Sequence, residues 1–324
     1  MQTLNARDYN SFKTLARMDQ QKLHNTVFNM LKNIYPKDKV KRNPYGVWAE
    51  GTIPICLIAH LDTVFTYPPE EFYYDREANV IWSPDGLGAD DRAGVFSIFK
   101  IISEGLRPHI VFTTDEEIGA IGASNLSQMP CPFKDLKYII ELDRANAIDC
   151  VFYDGANYEF QTYVESFGFV TAIGSFTDIV ELCPAWGISG VNLSIGYKNE
   201  HTSCEQLFVG QMFSTIDKVK KMLLNPPTQK FPYIGLYEGY YHCRCHECGK
   251  LGSSYLMIPV VCDEHGHRIW LCSDCATNKN IEWCERCYEG YVPGLLNEEK
   301  LCPSCQKIYS KSKRMGHEYT KTIS

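Results

Sequence analysis

IPICLIA, residues 53–59, is a continuous apolar run of strand length, and it leads directly into His60-Leu61-Asp62. A run with no polar alternation reads as a strand buried on both faces, covered by helices rather than open to water. The same arrangement repeats outward from it. HIVFTT (109–114) is a strand followed by Asp115-Glu116-Glu117, and KYIIEL (137–142) is a strand followed by Asp143. GVNLSI (190–195) is a strand that passes through GYKNE to His201. Shorter strands are expected near Val40, over 47–49 and over CVFYD (150–154). Helical periodicity appears over 12–34, over DRAGVFSIFKIISEG (91–105), over 179–186 and over 204–224. Such alternation predicts an α/β fold: a three-layer domain with a mixed, mostly parallel central sheet.

The chain has 324 residues, 44% of them hydrophobic, and a net charge of −7. The apolar fraction excludes a disordered or collagen-like chain. No stretch approaches the roughly 18 apolar residues of a membrane span, so no membrane partner is expected. The acidity argues against a nucleic-acid footprint over the whole chain, although a local basic patch is compatible with it. The opening MQTLNARDYNSFK shows no apolar leader, and the expected compartment is the reducing cytoplasm.

Cysteine is unevenly spread. Of 15, only Cys56, Cys131, Cys150, Cys183 and Cys204 precede residue 242, and they read as small core residues. Eight of the other ten form the C-x-x-C pairs Cys245/Cys248, Cys272/Cys275, Cys284/Cys287 and Cys302/Cys305. That spacing is the bite of tetrahedral zinc. Separations of 23 residues between the first and second pairs and 14 between the third and fourth suggest two tandem zinc ribbons, with a cross-braced pairing, first with third, as the alternative. Cys243, Cys262, His242, His246, His265 and His267 are spare donors, and Cys262 with His265 can stand in for one pair. So small a module needs the metal as a staple. NPPTQKFP (225–232), with three prolines, reads as the linker. The expected organisation is a catalytic domain over 1–225, a linker over 226–239, a zinc-ribbon-like module over 240–308 and a basic tail over 309–324. Ribbons beside a basic tail suit contact with nucleic acid or protein, or simply brace an enzyme.

In open α/β sheets, ligands bind at the carboxyl ends of the strands. His60, Asp143, Glu116-Glu117 and His201 all follow strands, and GLGADD (86–91) adds Asp90 and Asp91 just before a helix. Two imidazoles with several carboxylates suit zinc, and one bridging carboxylate lets such a set hold two ions. A carboxylate left over beside them can act as general base. Asp91 reads better as the cap of the following helix.

The order HLD, GLGADDRAG, TTDEEIGAIGA, ELD and a late HT resembles the co-catalytic dizinc metallopeptidase superfamily, across roughly residues 40–225. The resemblance implies that His60, Asp90 and Asp143 hold one catalytic zinc, and that Asp90, Glu117 and His201 hold the other. It implies Glu116 as the base acting on a metal-bridged water, Asp62 orienting His60, and a cis peptide at Asp90–Asp91. Members with carboxypeptidase activity insert a lid that supplies a histidine. Only 57 residues separate Asp143 from His201, and none is histidine. The chain is therefore similar to the lid-free, aminopeptidase-like branch. The implied activity is hydrolysis of a peptide or N-acyl amino acid bond, with two catalytic and two structural zinc ions. The alternative is a non-catalytic protein that binds protein or nucleic acid on a peptidase-like scaffold. Arg144, Thr177, Asp178 and Tyr197 are the candidate substrate contacts, with Tyr153 as a further transition-state donor. Asp178 also has a helix-capping reading, and His109 a structural one.

Overall fold

In this computed structural model the described residues are 2–235, 243–249, 251–252, 257–263, 268–287, 289–303 and 305–306. The chain divides into two compact units, Met1–Gly235 and Leu236–Ser324. The expected basic tail, the stretch 236–242 and the spare donors His242, His265 and His267 lie outside the described residues. Among the described residues no helix is long and apolar enough to cross a membrane.

The first unit begins with α1 (Ala6–Ala16) and α2 (Gln20–Lys32), then β1 (Val40–Asn43), β2 (Gly46–Ala49) and β3 (Ile53–His60). β4 (Tyr73–Asp75), β5 (Val80–Trp82), α3 (Ala89–Ser103), β6 (Pro108–Thr113) and α4 (Ile121–Ser127) follow. Next come β7 (Tyr138–Arg144), β8 (Asp149–Val151), α5 (Tyr158–Glu165), β9 (Val170–Thr171) and α6 (Asp178–Trp186). β10 (Gly190–Ser194), β11 (Tyr197–Lys198), β12 (Gln206–Phe208) and α7 (Val209–Leu224) complete it.

The central sheet has eight strands in the order β1-β2-β6-β3-β7-β10-β8-β9. Its middle four, β6-β3-β7-β10, are parallel, while β1, β2 and β8 pair antiparallel at the flanks. The sheet is thus mixed and mostly parallel at its centre. β3 shows why the apolar run needs both faces covered. Ile55, Leu57 and Ala59 join the core beneath α1, α2, α3 and α7, while Cys56 and Ile58 join the core beneath α4 and α6. Successive side chains alternate faces, so one strand feeds two helical layers. Each fully buried Leu or Ile contributes on the order of 2 kcal/mol.

Three expectations are corrected. The helix read over 12–34 is two helices, because Asn5 caps α1 through Asp8 N–H and Asp19 caps α2 through Lys22 N–H. Between them the carbonyl of Met18 leaves the helical ladder and accepts from Arg92 Nη2 at 3.0 Å. The helix read over 204–224 begins as strand β12, paired with β5, in a four-stranded sheet ordered β11-β12-β5-β4. Of the five early cysteines, Cys56, Cys150 and Cys183 are buried, but Cys131 is half-buried and Cys204 exposed.

Nor are residues 228–235 a free tether. Phe231 is 2% exposed, its N–H donates to Lys137 O at 3.0 Å, and its carbonyl accepts from Ser189 N–H at 2.9 Å. Its ring packs against those of Tyr138, Phe160 and Tyr163. The prolines break helix α7, yet the chain that follows is needed to cover an aromatic cluster.

In the second unit, β13 (Cys243–Arg244) pairs with β14 (Leu251–Gly252). β15 (Met257–Val261), β16 (Arg268–Cys272), β17 (Glu282–Trp283) and β18 (Gly290–Tyr291) form a sheet ordered β16-β15-β18-β17, and α8 (Ser273–Asn278) follows β16. Its two small cores are built around thiols: Cys245 and Cys272 with Val260, Leu271 and Ala276, and Cys284, Cys302 and Cys305 with Val261 and Tyr291.

Candidate active site

The four parallel strands end on one edge of the sheet, and the sequence puts a charged or imidazole group at each exit. β3 ends on His60, Asp143 lies near the end of β7, Glu116 and Glu117 follow β6, and His201 follows β10. Asp90 arrives from α3. The ladder of α3 is broken at Asp90 and Asp91, and the peptide between them is cis. Gly94 permits this approach. A Cβ there would lie 2.3 Å from Leu142 O and 2.4 Å from Asp91 Oδ1.

These groups converge. Donor atoms of His60, Asp90 and Asp143 lie within 4.8 Å of one another, as do those of Asp90, Glu117 and His201. Asp90 is common to both sets, with one oxygen for each imidazole. Its Oδ1 is 3.0 Å from His60 Nε2, and its Oδ2 is 3.2 Å from His201 Nε2. His60 Nε2 is also 3.5 Å from Asp143 Oδ1, and His201 Nε2 is 3.0 Å from Glu117 Oε2.

A shell of hydrogen bonds fixes each member. Asp62 Oδ1 lies 3.1 Å from His60 Nδ1 and also accepts Glu116 N–H at 3.0 Å, while Oδ2 accepts Glu117 N–H at 3.0 Å. One carboxylate thereby orients the imidazole and holds the backbone carrying both glutamates. Asp91 accepts Gly94 N–H at 2.8 Å, a capping geometry, and also His60 N–H at 3.3 Å.

Thr177 and Tyr197 donate their hydroxyls to the two oxygens of Asp143, at 3.0 and 3.1 Å. Tyr153 Oη accepts from Asn192 Nδ2 at 3.1 Å. The hydroxyls of Thr177 and Tyr197, read in the sequence as substrate contacts, thus orient Asp143. Arg144 Nη2 donates to Ile173 O at 3.1 Å and latches the loop before α6. Asp178 is fully buried, accepts from Thr113 Oγ1 and makes no helix-capping bond. His109 is structural: its Nδ1 accepts Gly51 N–H at 3.0 Å, and its ring stacks on Phe133.

Two residues of this shell escape the motifs. Glu205 is fully buried and accepts Gly88 N–H at 2.6 Å and Asp90 N–H at 2.9 Å. Nothing in its local pattern signals this. Asn192 Oδ1 accepts Asp143 N–H at 3.0 Å while its Nδ2 donates to Asp143 O at 2.8 Å. A lone Asn inside the apolar strand GVNLSI is a readable signal for such a role.

The electrostatics show a site short of positive charge. Burial, then repulsion from Asp143, Asp178 and Glu117, pushes Glu116 up to about 9. Burial and the charge of Asp90 lift Glu117 to about 7 and Asp143 to about 6. Burial opposes the ionised form of Asp90, but the imidazoles of His201 and His60 outweigh it and hold that carboxyl below its ordinary range. The hydrogen bond to Asp90 raises His201 to about 9. Glu117 Oε1 is buried and has no hydrogen-bond partner. Imidazole and carboxylate donors crowded together, with an orphaned buried oxygen, fit divalent cations.

In the second unit the thiols gather in tandem: Cys245 with Cys248, Cys272 and Cys275, and Cys284 with Cys287, Cys302 and Cys305. Burial opposes ionisation of Cys284, but backbone N–H groups of Cys287 and Cys302 draw its thiol down to about 6.

No protein-family model and no curated protein matches the chain. Solved structures do. The TET aminopeptidase of the marine sediment archaeon Thaumarchaeota archaeon SCGC AB-539-E09 is 12% identical, with a TM-score of 0.56 over 69% of this chain and 98% of that one. Aminopeptidase PepT of Bacillus cereus ATCC 10987 is 15% identical, with a TM-score of 0.54 over 67% of this chain and 97% of that one. A tripeptidase of Staphylococcus aureus subsp. aureus Mu50 is 15% identical, with a TM-score of 0.53 over 68% and 98%. Over the part that these structures cover, the chain shares their fold, which is the fold that the ordered motifs imply.

Proposed function

We propose that the first unit is a zinc-dependent aminopeptidase. The observation that carries this reading is the division of Asp90 between His60 and His201, with Glu116 held beside both through Asp62. His60, Asp90 and Asp143 would hold one ion, and Asp90, Glu117 and His201 the other. Bound there, two zinc ions supply Lewis-acid polarisation of the scissile carbonyl and an acidified water. Glu116 is the general base and hands the proton on to the leaving amine. Asp62 keeps the Nδ1 side of His60 engaged, which turns Nε2 toward the donor cluster. Thr177, Tyr197 and Asn192 hold Asp143 from three directions. A free α-amine needs no lid to be recognised, and Glu117 or Asp178 supplies nearby negative charge. The two thiol clusters of the second unit would each hold a structural zinc, which calls for a reducing compartment such as the cytoplasm.

Matched peptides and N-acyl amino acids test this. Acetylating the amino terminus should abolish cleavage, while amidating the carboxyl terminus should leave kcat/KM unchanged. Glu116→Gln should keep its metal and lose on the order of 100- to 10,000-fold in kcat. The opposite pattern of blocking, or near-normal turnover in Glu116→Gln, overturns the proposal.

A further inference from the structure

Gln20 lies 95 residues before the loop that carries Glu116, yet its side chain grips that loop with both ends of its amide. Nε2 donates to Asp115 Oδ1 at 2.7 Å, and Oε1 accepts Asp115 N–H at 2.9 Å. Asp115 occupies the left-handed region, φ 56°, where the chain leaves β6. The next two N–H groups, of Glu116 and Glu117, are taken by Asp62. Three successive amides are therefore fixed from outside the loop, one by Gln20 and two by Asp62.

Gln20 and Asp62 are in turn referenced to one anchor. Arg92, 3% exposed, donates through Nη1 to Leu61 O at 2.7 Å and Asp62 O at 3.0 Å, and through Nη2 to Met18 O at 3.0 Å. It ties the elbow between α1 and α2 to the end of β3. Gln20, as the first residue of α2, leaves that elbow toward the active site. It lines a cleft of about 240 Å³ together with Asp62, Gly88 and Arg92. Within the loop, Gly119 N–H and Ala120 N–H close onto Glu116 O at 2.9 and 2.8 Å, so the turn moves as one piece. A shift at Asp115 is then passed to Glu116 with little give.

We infer that Gln20 is a positioning residue: the amino-terminal helical hairpin sets the placement of Glu116 through the Gln20–Asp115 amide clamp. The inference rests on the peptidase reading of Glu116. The geometry prescribes its own variants. Gln20→Ala removes the clamp. Gln20→Glu keeps an acceptor for Asp115 N–H but sets a second carboxylate against Asp115 Oδ1. Adding Asp115→Asn to Gln20→Glu restores a donor on the other side and rebuilds the pair with reversed polarity.

In the full chain loaded with zinc, both single variants should lose about ten- to a hundredfold in kcat with KM unchanged, since a small misplacement of a catalytic group costs that much. The double variant should return to within about threefold of the starting enzyme. Melting temperature and metal content should not change. Unchanged kcat in both single variants overturns the inference. So does a loss that the double variant does not restore, or one that comes with lost metal or a lowered melting temperature. If the unsubstituted protein cleaves no peptide, the peptidase reading fails on its own. Amide exchange then decides the clamp. Faster exchange at residues 115–117 in Gln20→Ala supports it, and unchanged exchange overturns it.

Discussion

The carboxylate of Glu205 receives the backbone N–H of Asp90 at 2.9 Å, across 115 residues of chain. Gly88 N–H joins it at 2.6 Å, so one buried acid holds the segment that delivers the shared carboxylate of Asp90 between the two imidazoles. Burial raises Glu205 to about 7 against the pull of these N–H groups, so the arrangement is costly to bury.

Glu205→Ala should therefore weaken metal binding without removing a ligand. Substitutions behind metal ligands typically cost about 10- to 100-fold in affinity. Glu205→Gln keeps one acceptor oxygen and should lose less. Competition titration of the metal-free protein with a chromogenic chelator reads both values. Equal affinities for all three proteins would show that the loop holds Asp90 without help.

Much of this site is legible in the sequence, and the reason is topological. A parallel sheet with helices on both faces makes each strand a plain apolar run, as in IPICLIA, and puts the first polar residues after it on the ligand edge. His60, Asp143 and Glu116-Glu117 stand out for that reason. Glu205 does not, because it falls at the start of the stretch 204–224 that reads as an amphipathic helix, where an acid looks solvated. Gln20 does not, because the apolar periodicity of 12–34 continues across the break at Asp19 and hides the elbow. The hydroxyls of Thr177 and Tyr197 are visible, but their partner is a carboxylate that sequence order cannot place. Phe231 is hidden by the prolines around it.

The tandem grouping of thiols makes a separate forecast for the second unit. Cys272→Ser should remove one zinc and unfasten the cluster of Cys245, Cys248 and Cys275, while Cys284, Cys287, Cys302 and Cys305 stay loaded. Metal analysis with thiol alkylation mapped by mass spectrometry distinguishes the two groups. A cross-braced module, first pair with third and second with fourth, would instead expose Cys275 together with Cys302 and Cys305.

His109 gives the first unit a pH dependence of defined sign. Burial holds its imidazole down to about 4, and Glu50 and Asp135 only partly offset this. Its Nδ1 must stay unprotonated to accept Gly51 N–H. In the unfolded chain the group titrates near 6.5, so between about 6.5 and 4 the unfolded state binds the extra proton. The contribution is fully present above pH 6.5 and is lost as pH falls toward 4, with a span of at most about 3 kcal/mol. His109→Asn keeps an acceptor for Gly51 and removes the titration. The unfolding free energy of the original protein should fall relative to that variant across this window. Parallel curves would show that His109 is protonated in the fold.

The last forecast concerns where the first unit ends. A chain that stops at Asn225 retains all of α7 and looks complete by its helices. It lacks Phe231, whose ring fills the space between Tyr138, Phe160 and Tyr163, and it lacks the backbone bonds to Lys137 and Ser189. It also loses Pro232 O, which accepts from Ser189 Oγ at 2.7 Å and from Asn157 Nδ2 at 2.9 Å. Deleting a buried phenylalanine alone costs about 3–5 kcal/mol. For a unit of this size that lowers the melting temperature by on the order of 10 °C. The exposed ring of Tyr138 then invites aggregation. A chain that stops at Gly235 keeps every one of these contacts and should melt cooperatively at the higher temperature. Calorimetry on the two fragments, with Phe231→Ala in the longer one as a third sample, separates the aromatic contribution from the backbone one. If the fragment ending at Asn225 matches the longer fragment in melting temperature, residues 226–235 are a tether after all, and the aromatic cluster closes without them.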